Sequence, residues 1–138
     1  MPPRDTTTGS VLEQMILPAL QRGGYAFRTQ VRVGVRPGGG RHVVDAVAEK
    51  DGRRWLVSMK WQQVSGTAEQ KVPFEVISLA EIALSDRYDG AYLVLGGPGW
   101  SLREYYSGGG LQGHLVHADK VRIVTLEEFV ALANQGRL

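Results

Sequence analysis

The 138-residue chain predicts an α/β fold, with a central mixed β-sheet flanked by helices. Three observations carry that expectation. Apolar residues recur at helical spacing near the start, again between residues 67 and 84, and once more at the end. Between these stretches the period switches to two. Asp51-Gly52 lies between two such β-runs, and this pair is a strong two-residue hairpin signal because both turn positions need positive φ. One domain is expected, with residues 1–9 as a disordered lead-in and residues 10–138 as the folded unit.

The elements follow in order. Ser10 to Glu13 has capping-box spacing, and Leu12, Ile16, Ala19 and Leu20 recur on one helical face. Pro18 predicts a kink, and Gly23-Gly24 a stop. From Tyr25, the residues Phe27, Val31, Val33 and Val35 alternate with Arg28, Gln30 and Arg32, which reads as a half-exposed strand with a basic polar side. Arg36 to Arg41 is a Gly-rich turn bracketed by two arginines.

Residues 42–49 and 53–62 form the hairpin arms. A two-residue turn fixes their register, with Asp45 opposite Ser58 and Lys60 opposite Val43. Trp55, Val57, Met59 and Trp61 make the apolar face of the second arm, and Leu56, Ser58, Lys60 and Gln62 share the other. Thr67 and Gln70 predict a second capping box, with Ala68, Val72, Val76, Leu79 and Ala83 as the buried stripe. Glu69 falls inside that stripe, Glu75 on its border and Glu81 towards solvent. Residues 91–95 read as an inner strand, 96–114 as a Gly-rich loop with a short helix near residues 102–106, and 121–124 as a last strand. Thr125 to Glu128 caps a final helix that carries Phe129 and Ala133.

Composition narrows the chemistry. There is no Cys, which excludes a disulfide scaffold, a thiolate zinc site and a cysteine nucleophile. No apolar run approaches the roughly 20 residues of a membrane span, and the polar start lacks a signal-peptide core, so a cytoplasmic location is expected. The net charge of +2 conceals an asymmetry of +5 over residues 1–60 and −3 over residues 61–138. Twelve of the 16 basic residues are arginine, whose planar fork suits phosphate, although a GC-rich coding sequence would give the same skew.

The candidate site lies on the hairpin. A carboxylate between Val43 and Val47 is costly unless paired or metal-bound, so Asp45 is either one half of an ion pair with Lys60 or an oxygen ligand suited to Mg²⁺. Beside a cation, Lys60 has the chemistry to orient a water or to stabilise charge developing on a phosphorus centre, as phosphodiester hydrolysis requires. Other features lead less far. His114 and His117 lack a third ligand, and residues 96–99 lack the Lys-Ser/Thr of a P-loop, so no nucleotide cofactor is expected. Ser58 has no histidine in register to activate it. Lys71 and His42 read as surface residues or phosphate contacts. Trp100, Tyr105 and Tyr106 have either a loop core or splayed bases to pack against.

A helix bearing Glu13, a strand, a hairpin with Val44-Asp45 on one arm and Ser58-Met59-Lys60 on the other, then a helix and two strands, resembles the PD-(D/E)XK nuclease superfamily. The resemblance runs from about Ser10 to Val124 and implies a restriction-endonuclease-like αβββαβ core. It implies a Mg²⁺-dependent DNA endonuclease, with Mn²⁺ able to substitute. Asp45 would be a metal ligand and catalytic residue, Lys60 catalytic, the carbonyl of Met59 a further ligand, and Glu13 a sharer in the site. Val44 replaces the usual proline. Ser58 stands where the second acid belongs, an arrangement similar to that of restriction enzymes that draw this acid from the following helix. Glu75, 15 residues after Lys60, is then the first candidate, and Glu69, nine residues after it, the second.

Arg28, Arg32, Arg36, Arg41 and Gln62 are the expected DNA contacts. Cutting both strands of a duplex requires two sites, hence a homodimer. Without a dedicated sequence-reading domain, structure-selective or loosely sequence-specific cleavage is expected. Ser58 also supports an alternative, a non-catalytic nucleic-acid-binding or interaction module that keeps the fold without the second acid.

Overall fold

The computed structural model describes residues 7–138. Its elements are α1 (Thr7–Val11), a π-helical turn (Leu12–Ile16), α2 (Leu17–Arg22), β1 (Ala26–Val35), β2 (Arg41–Lys50) and β3 (Arg53–Trp61). A 3₁₀ turn (Thr67–Lys71), α3 (Val72–Ala83), β4 (Gly90–Gly96), α4 (Arg103–Ser107), β5 (Val121–Thr125) and α5 (Leu126–Asn134) complete it. The sheet order is β1-β2-β3-β4-β5, antiparallel through β3 and parallel from β3 to β5. This is the expected mixed sheet. The lead-in expected over residues 1–9 falls mostly outside the described residues, but Thr7 to Gly9 are already helical.

Two layers cover the sheet. One core packs α2 and α5 against Ala46, Ala48, Val57, Met59 and Val94, with Phe129, Ile16 and Leu20 wholly buried. The other packs α3 against Val47, Leu56, Leu93 and Leu95. Only β4 is buried along its full length, as an inner parallel strand between two layers must be.

Prolines correct two helix expectations. Pro18 cannot donate to the carbonyl of Gln14, and the chain answers with a π turn in which the N–H of Leu17 reaches the carbonyl of Leu12. Ser10 lies inside α1, and its side chain makes no capping hydrogen bond among the described residues. Pro73 likewise sits in the first turn of α3, where a missing N–H costs least. The segment before it is 3₁₀, and Thr67 makes no side-chain cap. By contrast, Thr125 and Glu128 do form the reciprocal capping box of α5.

The hairpin turn has φ of +53° at Asp51 and +78° at Gly52, as its sequence requires. The predicted register holds from Lys50↔Arg53 to Ala46↔Val57 and then stops. Asp45 and Ser58 are not a ladder pair. At this rung both β1 and β2 change which layer they face. Tyr25, just before β1, and Phe27 on it belong to the α5-side core, whereas Val31 and Val33 belong to the α3-side core. On β2, Ala46 and Ala48 face α5 while Val44 joins Val47 on the α3 side. Gln30, at φ +51°, makes the change in β1. Strict alternation had put Asp45 between Val43 and Val47 on one face; instead Val43 is exposed.

Candidate active site

Asp45, Lys60 and Glu75 come together where β2 and β3 part. The Asp45 side chain turns to β3 and accepts the backbone N–H of Met59 at 2.7 Å, so a carboxylate occupies a place the ladder has vacated. Burial raises its pKa, against the Met59 hydrogen bond, the charge of Lys60 and the amide of Gln30, while the nearby Glu75 charge adds to the rise. Lys60 follows one residue later on β3, with its side chain 36% exposed and its Nζ 4.0 Å from Glu75 Oε2.

Glu75 projects from the first turn of α3 towards the sheet, and its side chain is 5% exposed. Oε1 accepts the hydroxyl of Ser58 at 3.1 Å, and Oε2 pairs with Arg36 Nη1 at 2.6 Å. His42, wholly buried, puts Nε2 3.5 Å from Oε1. Burial opposes the charge on Glu75, but His42 and Arg36, with the charge of Lys60, override it and hold the pKa at about 2. At 3.5 Å the imidazole is a loose contact, and neither of its ring nitrogens has a hydrogen-bond partner among the described residues, so Arg36 is the stronger anchor. Ser58 thus faces, across 3.1 Å, a carboxylate supplied by the following helix.

Two carboxylates at one spot are donors suited to a hard divalent cation. Their fit is physical. Asp45 is a half-buried carboxylate whose charge the protein only partly offsets, and Glu75 is held ionised beside it. No cluster of three or more His, Asp or Glu side chains exists among the described residues, so waters or substrate oxygens would complete a shell.

Most of the remaining expected site residues lie elsewhere. Glu69 is buried but turned away: its carboxylate accepts the N–H groups of Ser101 and Leu102, and its carbonyl accepts the Tyr106 hydroxyl at 2.8 Å. It organises the loop before α4. Gln62 is also buried and donates to the carbonyl of Gly99 at 2.7 Å, which ties the end of β3 to the loop after β4. Glu13 is exposed on the π turn and makes no bond to Asp45, Lys60 or Glu75. Met59 holds Asp45 through its N–H.

Of the arginines, Arg32 and Arg41 are exposed on β1 and β2, and Arg36 is turned inward to Glu75. Arg28 stands across from Val47, towards the hairpin turn. His42, expected at the surface, is the residue the sequence concealed most fully. Trp100 and Tyr106 are buried in the loop core, and only Tyr105 is exposed.

A model of the PD-(D/E)XK nuclease superfamily domain matches residues 4–137, and the chain belongs to that superfamily. Among solved structures it is similar to a protein of unknown function, AF1548, at 14% identity and a TM-score of 0.49. The match covers 80% of this chain and 54% of that one, so the chain spans about half that protein's length. No curated protein matches significantly. No helix among the described residues is long and apolar enough to cross a membrane.

Proposed function

We propose that the protein is a divalent-metal-dependent endonuclease that hydrolyses phosphodiester bonds in DNA, with structure-selective or loose sequence preference. The observation that supports it is the meeting of Asp45, Lys60 and Glu75 at the parting of β2 and β3. Asp45, Glu75 and the Met59 carbonyl would hold Mg²⁺, or Mn²⁺ in its place. When bound, the cation supplies Lewis-acid stabilisation of charge developing on the phosphate oxygens.

The chain's own groups do the rest. Met59 N–H fixes the Asp45 carboxylate against the strand that carries Lys60. Ser58 fixes Glu75 from the place where the superfamily pattern has its second acid. The half-exposed Lys60 ammonium orients the attacking water and donates to the phosphate. Arg32 and Arg41, exposed on β1 and β2, contact the backbone of DNA. A duplex substrate would be cut by a homodimer, one site per strand.

The test is incubation of the full chain with plasmid, linear, single-stranded and branched DNA in Mg²⁺, Mn²⁺ or EDTA. Metal-dependent cutting that disappears in Asp45→Asn and Lys60→Ala supports the enzyme. DNA binding with no cutting on any substrate would leave the non-catalytic binding module instead.

A further inference from the structure

Arg36 reaches from a turn onto a buried carboxylate that the proposed reaction needs for a cation. The turn is Arg36-Pro37-Gly38-Gly39-Gly40, closed by Gly39 N–H to Arg36 O at 2.9 Å and Arg36 N–H to Gly40 O at 2.7 Å. Added side chains at Gly38, Gly39 and Gly40 would touch nothing, so the turn lies open to solvent. The Arg36 side chain is itself 24% exposed.

The two oxygens of Glu75 differ in what holds them. Oε1 faces Ser58 and His42, both buried on sheet strands. Oε2 faces Arg36 and, at 4.0 Å, Lys60. One oxygen therefore has a fixed surround, and the other a partner on an exposed turn. The charges of Asp45 and Glu75 are balanced by those of Lys60 and Arg36. A divalent cation arriving here unbalances the set and repels the guanidinium at close range.

The geometry points to Arg36 as an exchangeable partner. It neutralises Glu75 while no cation is bound, and it transfers to a substrate phosphodiester when a divalent cation takes Oε2. The inference rests on the proposed nuclease reading and gives Arg36 two positions in it. Its long stem and planar fork suit both carboxylate and phosphate. Ser58 and His42 remain as the fixed support that keeps the carboxylate aimed, as groups behind metal ligands do. An ion pair with only a structural role makes the opposite prediction, because removing Arg36 would loosen Glu75 and weaken cation binding.

The full chain is titrated calorimetrically with Mn²⁺ in the absence of DNA. A labelled duplex oligonucleotide is then bound in Ca²⁺ across a salt series. Arg36→Gln should tighten Mn²⁺ binding by roughly tenfold. It should also weaken DNA binding and lower the salt slope by about one phosphate contact. Arg36→Lys keeps the charge without the fork, so its Mn²⁺ affinity should fall between the two. Mn²⁺ affinity that is unchanged or weaker in Arg36→Gln overturns the exchange. If that variant does not fold by circular dichroism, Arg36→Lys binding Mn²⁺ no tighter than wild type overturns it equally. Loss of the underlying nuclease reading registers separately, as Mn²⁺ binding that survives in Asp45→Asn.

Discussion

Met59 N–H donates to Oδ2 of Asp45 at 2.7 Å, one rung beyond the last paired residues of the β2–β3 hairpin. A side-chain oxygen there does the work of a strand carbonyl, so the two arms stay joined although their ladder has ended. The same bond ties the carboxylate to the strand that carries Lys60. The gap and the acid inside it are one construction.

Burial makes Asp45 costly when ionised. Its pKa is raised chiefly by desolvation, so the cost is absent below the ordinary carboxylate value and appears as pH rises through the raised one. Asp45→Asn keeps an oxygen for Met59 and removes the charge. At neutral pH the variant should melt a few degrees higher without metal, about 1 kcal/mol more stable. Mn²⁺ should stabilise the wild type and leave the variant unmoved. Paired thermal melts with and without Mn²⁺ check this, and a lower melting point in the metal-free variant contradicts it.

Glu75 has the opposite sign. Its pKa drops from an ordinary 4.5 to about 2, so its contribution is complete above 4.5 and lost as pH falls through 2. Denaturant unfolding of wild type and Glu75→Gln between pH 6 and pH 2 should show the wild type losing stability in that window. The variant should show a flatter curve. Parallel curves would mean that Glu75 does not carry the ionised ion pair.

Lys60 is partly exposed and makes no close hydrogen bond, so its removal costs the fold little. Lys60→Ala should unfold within about 0.5 kcal/mol of wild type. Its cleavage rate should fall by roughly 10²–10⁴, the usual contribution of a positioned acid–base group. Single-turnover cleavage in Mn²⁺ separates the chemical step from DNA binding. A rate within about twofold of wild type would remove Lys60 from the reaction.

His42 is wholly buried against Glu75. His42→Ala should cost about 2–4 kcal/mol in chemical denaturation, as a large-to-small change in a packed core does. It should also weaken Mn²⁺ binding by letting Glu75 turn. A surface histidine would move stability by no more than about 0.5 kcal/mol.

Much of the architecture was legible in local chemistry. Asp51-Gly52 set the hairpin, Thr125 with Glu128 set the start of α5, and the α3 stripe buried the expected residues. The position of Glu75 on the border of that stripe also placed it at the sheet. What local patterns do not contain is the change of face at Gln30 and Asp45. Strict alternation put His42 and Val43 on the wrong sides for that reason. Glu69 and Gln62 misled differently: each was polar and near the site in sequence, yet its partners come from residues 99–106. A contact made across more than 30 residues leaves no local signal.

The change of face at Asp45 divides β2 into two half-strands: pairing with β1 carries straight through it, whereas the ladder with β3 ends at Ala46. Losing one residue from Ala46–Lys50 would exchange the side chains of the two cores, and the sheet would have to re-pair. Arg41–Val44 have no rung on β3, so losing one residue there would spare the hairpin ladder and force re-pairing with β1 alone, displacing His42 and the glycine turn. The hairpin end of the strand is therefore held from both sides, whereas the other end is held by β1 alone, and it is this end that carries His42 and leads from the turn of Arg36.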